Sequence, residues 1–523
     1  MTRILALPLL GALSSFYLVV VLRTAWLCDD AYITLRVVDN LLHGRGLVWN
    51  VGERVQAYTH PLWMAALAIA RLLTGEEYYS SIALSALLST LAVVIYAWQL
   101  RDRPQVLAFG VAALISSRAF VDYSTSGLEN PLAYLLVSSL LIGIRLGKPV
   151  SERSVRTTAV SLTAGLLLLT RMDLVLLIAP VLAAFLWNES RHRPGPWLMW
   201  AVPLLAWETF SLAYYGFPLP NTAYAKLANS IPERELLAQG LFYLRNGTRT
   251  DPVTLAVIIT AAAVGLTQRR RFDVPIACGT LAYVAYVVWI GGDFMSGRFL
   301  AVPFFAGVWQ LTLPHRLPDE RRVPIVGAAL AIVVAATGPY SPPYVSGRAY
   351  GAGDRLFDAS MEDHGINDER RFYFQYTGLR RRSPGPRIDH PWAADGDEAR
   401  RRGDRVIVRG NIGFFGYFAG PDVTIIDYYA LADPLLARLP ARPRWRIGHF
   451  ARIMPQGYPE TVETGMNRLV DPDLSRLYDE IKVITRGPLW RLRRFRAIER
   501  DLAGANRASA QAYQTRLDRA GFR

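Results

Sequence analysis

A polytopic α-helical membrane protein carrying a C-terminal α/β domain is the fold class this sequence predicts, and three observations predict it. Apolar runs return from residue 4 to residue 337 in a chain of 523 residues that is 52% hydrophobic. The basic residues behind the net charge of +15 cluster between those runs, so membrane topology accounts for them and nucleic acid does not. After residue 338 the hydropathy collapses, and a globular pattern resumes at Val406.

Residues 4–22 are expected to be an uncleaved first span, because Ala25, Trp26, Leu27 and Cys28 put bulky groups where a cleavage site wants small ones. Further spans are expected at 79–100, 105–117, 131–144, 157–170, 173–187, 197–213, 252–267, 274–290, 299–313 and 323–337, about eleven in all. Several fall short of the roughly 20 residues a bilayer asks for, which is tolerated beside a water-filled cavity. With the N-terminus inside, the clusters Arg101/Arg103, Arg145–Arg156, Arg191–Arg193, Arg269–Arg271 and Arg316–Arg322 fall on alternate connections. That parity requires 61–74, which follows His60 and opens on Pro61, to lie in the interface or re-enter.

The segments 28–60, 118–130, 171–173, 214–226 and 291–298, rich in Asp, Asn, Tyr and Trp, then all fall on the outer side, as around a cavity mouth. Residues 1–338 read as the transmembrane domain, with 28–78 an outer loop bearing interfacial helices, and 339–400 as a mostly irregular connector. Residues 401–523 read as an extracytoplasmic α/β domain of short apolar strands, a Gly-rich turn and helix-like stretches. The turn "GNIGFFGYFAG" lacks the Lys-Ser/Thr and Gly spacing of a phosphate loop. Two cysteines, Cys28 and Cys278, make neither a disulfide framework nor a usual zinc site.

Asp29 and Asp30 stand at the outer end of the first span, where a carboxylate reaches the lipid boundary. Partial desolvation would raise the pKa of a base there. Ile33, Val37, Val38, Leu41 and Leu42 recur at helical spacing behind them, predicting an amphipathic surface helix ended by Gly44.

The acidic pair after the first span, "GERVQAYTHPLW", "TSGLEN", "YYGFPLPNTAYAK" and "GGDFMSGRF" together resemble the GT-C membrane glycosyltransferases. With "DYYALADPLLARLP" and "GHFARIMPQGY" added, the chain is most similar to the terminal β-(1→2)-arabinofuranosyltransferases of the actinobacterial cell wall. The resemblance implies decaprenylphosphoryl-arabinofuranose as donor and non-reducing arabinan ends of arabinogalactan or lipoarabinomannan as acceptor. It also implies a multi-pass plasma-membrane enzyme with its site on the extracytoplasmic side. Asp29 or Asp30 would be the catalytic base, nucleophile or oxocarbenium stabiliser.

Arg171, Arg298, Lys226 and His60 would hold the donor phosphate, since a guanidinium fork suits phosphate oxygens. Glu129, Asp173, Asn221, Tyr224, Asp293 and Tyr58 would bind sugar or acceptor, although Asp173 is placed to pair with Arg171 and Asp293 with Arg298. Trp49 and Trp63 read as sugar-stacking or interface-belt aromatics, and Asp427, Asp433 and His449 as acceptor contacts or fold-stabilising groups. No cofactor is expected; Asp29 and Asp30 offer a place for a divalent metal. Another polyprenyl-phosphate sugar, such as mannose, is the alternative donor. A lipid transporter is the rival class, against which stands the gathering of acids on one face without a visible repeat.

Overall fold

The computed structural model describes residues 2–145, 153–190, 195–227, 230–268, 271–312, 322–338, 340, 342–346, 364–381 and 383–521. Lys148, Arg191–Arg193, Arg269–Arg270 and Arg316, expected in the basic connections, lie outside them.

All eleven apolar runs are helical: Thr2–Thr24, Tyr78–Gln99, Pro104–Ser116, Asn130–Arg145, Arg153–Thr170, Val175–Ser190, Ala201–Tyr214, Pro252–Gln268, Asp273–Trp289, Ala301–Thr312 and Arg322–Ala336. Among the described residues two of them, over Leu7–Thr24 and Tyr78–Gln99, are long and apolar enough by themselves to cross a bilayer. A third is reached if Glu233–Thr250 and Pro252–Gln268, bent by 111°, count as one broken span. The break has a local cause: Pro252 cannot continue a helix, and the Asp251 carboxylate caps the next one by accepting the Thr254 amide at 3.2 Å.

The chain forms two compact units, each drawn from three stretches of the sequence. One comprises residues 1–28, 74–204 and 233–386, the other 29–73, 205–232 and 387–523.

In the first unit Tyr78–Gln99 packs on Asn130–Arg145, Asp273–Trp289 on Val175–Ser190, and Arg322–Ala336 on Pro104–Ser116. Small residues permit this closeness: a Cβ on Gly279 would stand 2.1 Å from the Leu177 carbonyl oxygen. The strand-like exit of the first helix is pinned, with Trp26 Nε1 donating to the Asp122 carbonyl at 2.7 Å and Cys28 N to the Ser126 carbonyl at 3.0 Å. Part of the stretch expected to be irregular is helical. Glu369–Thr377 is capped by Asp368, which accepts the Arg371 amide at 3.0 Å, and Pro391–Arg402, in the second unit, ends at a left-handed Gly403.

The second unit holds one β-α-β element. Strands Val406–Arg409 and Thr424–Asp427 pair in parallel across helix Gly413–Ala419. Helix Asp29–Leu42 packs on that crossover helix. It is no surface helix: ten of its fourteen residues are buried, and the Arg36 guanidinium donates to the carbonyls of Trp49 and Val423, each at 2.9 Å. Helix Pro61–Thr74 buries Trp63 and Leu67 and leaves the apolar Ile69, Leu72 and Leu73 exposed. Leu435, Leu436, Leu474, Leu477 and Ile481 form the core beneath helix Pro472–Arg486.

Candidate active site

The acidic pair opens helix Asp29–Leu42, and its two members differ. Asp29 is buried; one carboxylate oxygen accepts the Phe414 amide at 2.7 Å and the other the Gly413 amide at 3.1 Å. It thereby caps helix Gly413–Ala419 from another part of the chain, placing negative charge at the positive end of the helix. Burial pushes this carboxyl up to about 7, against the two amide bonds that favour its charged form. Asp30 is half-buried. Successive helical residues point about 100° apart, so the neighbour of a clamped acid is directed elsewhere.

Elsewhere in the second unit, His60 is buried, with Nε2 2.9 Å from the Thr34 hydroxyl. Tyr58 is buried too, its hydroxyl 3.0 Å from that of Tyr215. Trp49 and Trp63 are fully buried, so neither stands at a membrane belt nor presents a face to a sugar. The Asn221 side-chain amide donates to the carbonyls of Ala430, Leu431 and Asp433 at 2.9–3.1 Å, which makes it a strut. Tyr224 is half-buried, with its ring 4.7 Å from the Arg438 guanidinium, and Lys226 is exposed.

Asp427 and Asp433 are buried and fold-stabilising. Asp427 accepts the amides of Tyr429 and Ala432; Asp433 accepts the Leu436 amide at 2.8 Å and the Tyr458 hydroxyl at 2.9 Å. Burial raises both to about 7, and lowers His449 to about 3.

The first unit gathers a second cluster: Glu129, Arg171, Asp173, Asp293 and Arg298. Arg298 Nη2 donates to both Glu129 oxygens at 3.1 and 3.3 Å, and its Nη1 lies 3.6 Å from Asp293. Arg171 takes Asp173 at 3.2 Å through Nε, donates to the Tyr283 hydroxyl at 2.7 Å and lies 3.7 Å from Glu129. Three acids thus face two guanidiniums, and both Arg–Asp pairs anticipated from spacing form. Glu129, joined to both arginines across the chain, is the link that spacing did not reveal. Arg171 Nη1 is buried without a hydrogen-bond partner among the described residues.

Among the described residues no three His, Cys, Asp or Glu side chains gather to hold a metal ion. Both Asp29 oxygens accept amides, and no step is routed through a metal.

The sequence does not announce the Gly413 and Phe414 amides as the partners of Asp29; the Gly-rich turn that carries them reads there only as a failed phosphate loop.

No family model matches the chain. A terminal β-(1→2)-arabinofuranosyltransferase of Mycobacterium tuberculosis is 29% identical, over 82% of this chain and 81% of that protein. A protein of the same name from Corynebacterium glutamicum is 28% identical over 67% of this chain; the match spans 56% of that longer relative. The crystal structure of ArnT from Cupriavidus metallidurans superposes with a TM-score of 0.51 in the apo state, covering 92% of this chain and 91% of ArnT at 13% identity. The form bound to undecaprenyl phosphate gives 0.50, covering 80% and 85% at 12% identity. The helical architecture therefore shares the fold of ArnT.

Proposed function

Starting from relatives named terminal β-(1→2)-arabinofuranosyltransferases and a fold shared with ArnT, we propose that this chain transfers arabinofuranose from decaprenylphosphoryl-arabinofuranose to non-reducing arabinan ends. The proposal includes an eleven-span topology in the plasma membrane, with the acidic pair and residues 401–523 on the extracytoplasmic side. The observation that carries it is the acidic pair five residues beyond the first apolar helix, one member clamped and the other half-buried beside it. The lipid donor is supported by the undecaprenyl phosphate seen in ArnT.

Asp30 is the acid assigned to the chemistry and Asp29 the one that positions it. The acceptor hydroxyl oxygen attacks the anomeric carbon, the bond from that carbon to the phosphate oxygen breaks, and the lipid phosphate leaves with the electron pair. Asp30 takes the hydroxyl proton. The leaving phosphate is stable as a dianion, so the site owes its rate to orientation and to acceptor deprotonation. If donor and product are both β-linked, one displacement does not suffice, and Asp30 serves as nucleophile in the first of two. Arg171, whose Nη1 is buried without a hydrogen-bond partner among the described residues, is assigned to lipid phosphate, and Arg298, Lys226 and His60 keep the same assignment. Glu129, Asp173 and Asp293 are assigned to sugar hydroxyls, with Tyr58, Asn221 and Tyr224 shaping the acceptor side from within the fold.

The test is transfer by purified protein in nanodiscs from labelled decaprenylphosphoryl-arabinofuranose to an oligoarabinoside, followed by linkage analysis. A terminal β-(1→2)-arabinofuranose is expected. Transfer of mannose but not arabinose from the matching donors would replace the sugar assignment, and movement of donor across the bilayer without transfer would replace the enzyme.

A further inference from the structure

The end of the second unit carries an apolar and basic surface that the proposed reaction does not use. Trp490, Leu492 and Phe495 are exposed, at 77%, 64% and 40%. Between them stand Arg491, Arg493 and Arg496, also exposed and without an ion pair among the described residues. Arg500, further along, already binds Glu480 at 2.6 Å. A soluble surface seldom shows tryptophan, leucine and phenylalanine together beside unneutralised guanidiniums.

A rivet fixes where this surface stands in its unit. Arg494 is 1% exposed, and its guanidinium donates to the carbonyls of Ala213, Tyr214 and Ile484, each at 2.8 Å. Ala213 and Tyr214 are the last residues of helix Ala201–Tyr214, and their carbonyls are the ones a helix end leaves unsatisfied. Ala497 and Ile498 pack behind, against Phe217 and Ile484. One face of helix Leu492–Leu502 is thus docked, and the opposite face carries Leu492, Phe495 and Leu502 outward.

Earlier in the riveted helix, Leu205 and Phe210 are exposed. Leu205 precedes Tyr214 by nine residues, roughly 13 Å along the axis. Exposed apolar side chains thus continue to within a turn of the end that Arg494 holds, and Arg494 Nη1 also lies 3.4 Å from the carbonyl of Leu489, the neighbour of Trp490.

We propose that residues 489–496 form an interfacial anchor for anionic phospholipid, with Trp490, Leu492 and Phe495 in the headgroup region and Arg491, Arg493 and Arg496 against lipid phosphates. This rests on the multi-pass reading of helix Ala201–Tyr214. Aromatic rings and arginine stems suit that boundary, and the charge of an anionic leaflet complements the three guanidiniums. The anchor holds the second unit at the depth where a lipid-linked donor presents its sugar.

The experiment places a nitroxide at Trp490→Cys in a Cys278→Ser background, with Leu205→Cys and Asp422→Cys as references, in nanodiscs of phosphatidylglycerol or phosphatidylcholine. Trp490 is exposed, so its replacement leaves the fold intact. In phosphatidylglycerol the label at 490 is expected to meet a water-soluble nickel chelate at least threefold less often than the label at 422, and more often than the label at 205. Arg491→Gln, Arg493→Gln and Arg496→Gln together, or phosphatidylcholine alone, should return it towards the value at 422. A label at 490 as accessible as at 422, with 205 shielded, overturns the anchor. Shielding that ignores lipid charge overturns the anionic-lipid assignment, and a label at 205 in water removes the multi-pass reading on which the anchor rests.

Discussion

A Cβ added to Gly413 would stand 1.9 Å from the Asp29 carbonyl oxygen and 2.7 Å from its carboxyl carbon. No side-chain rotation relieves a clash with backbone, so Gly413→Ala must push the start of helix Asp29–Leu42 away from the crossover helix. We expect turnover to fall at least tenfold and stability by about 1–3 kcal/mol. Donor KM should change less than kcat, since the displaced group is the acidic pair. Native turnover in Gly413→Ala would show that the contact is incidental.

The two aspartates should separate by readout. Asp30→Asn keeps shape and removes basicity, so turnover should drop by ~10²-fold or more with the melting temperature unchanged. Asp29→Asn turns one acceptor into an NH2 facing an amide, which should lower the melting temperature as well as turnover. Equal behaviour of both variants, or near-native turnover in the double variant, would remove the division of roles.

Arg298 is bound to Glu129, so its removal leaves the three acids of the cluster facing Arg171 alone. Arg298→Ala should cost on the order of 3–5 kcal/mol of stability, as breaking a buried pair does. Glu129→Gln in the same chain should recover part of that loss. A phosphate role predicts a raised donor KM that the double variant does not repair, and thermal melts with donor titrations read the two effects separately.

Stability should respond to pH with a definite sign. Burial raises Asp29, Asp427 and Asp433 to about 7, while unfolded carboxyls titrate near 4. The folded chain thus holds more protons between those values, and stability falls as pH rises through that window. Burial lowers His390 to about 4 and His449 to about 3, which opposes the trend only below the pH at which unfolded histidine gains its proton, near 6.5. Acidifying from pH 8 to 6.5 should therefore raise the melting temperature, each acid contributing on the order of 0.5–1 kcal/mol. Asp427→Asn should flatten part of the slope, and a fall in melting temperature over this range would mean that the acids are ionised in the fold.

Topology is open to labelling. With Cys278 replaced by serine, Asp102→Cys should react only from the cytoplasmic side and Val51→Cys only from outside, as both positions are exposed. Outside reaction at 102 would reverse the orientation; Gly147 and Arg270, natural first choices for such probes, lie outside the described residues.

The apolar helices were legible because an apolar run between breakers is a local signal, and all eleven runs are helical. Helix Asp29–Leu42 was legible in extent but not in setting. Its apolar spacing suggested one covered face, whereas Arg36 and Asn40 turn the polar face inward too, by meeting carbonyls across the loop. Trp49 and Trp63 misled for a related reason: a tryptophan beside a membrane span has the same composition whether it borders lipid or fills a core. The Arg171–Asp173 pair could be read two residues apart, but the link from Glu129 to Arg298 joins residues 169 positions apart, and no periodicity reports it.

The bond between Asp29 and the Gly413 amide spans 384 positions, which has a meaning in time. At roughly 5–20 residues per second, ribosomes need about 20–80 s to make the stretch between the two. Throughout that interval the first helix and its acids exist without the crossover helix that clamps them. A nascent chain in the membrane therefore holds the acidic pair unassembled until its last quarter is made, and a protein cut short before residue 413 would keep its apolar helices and lose the clamp.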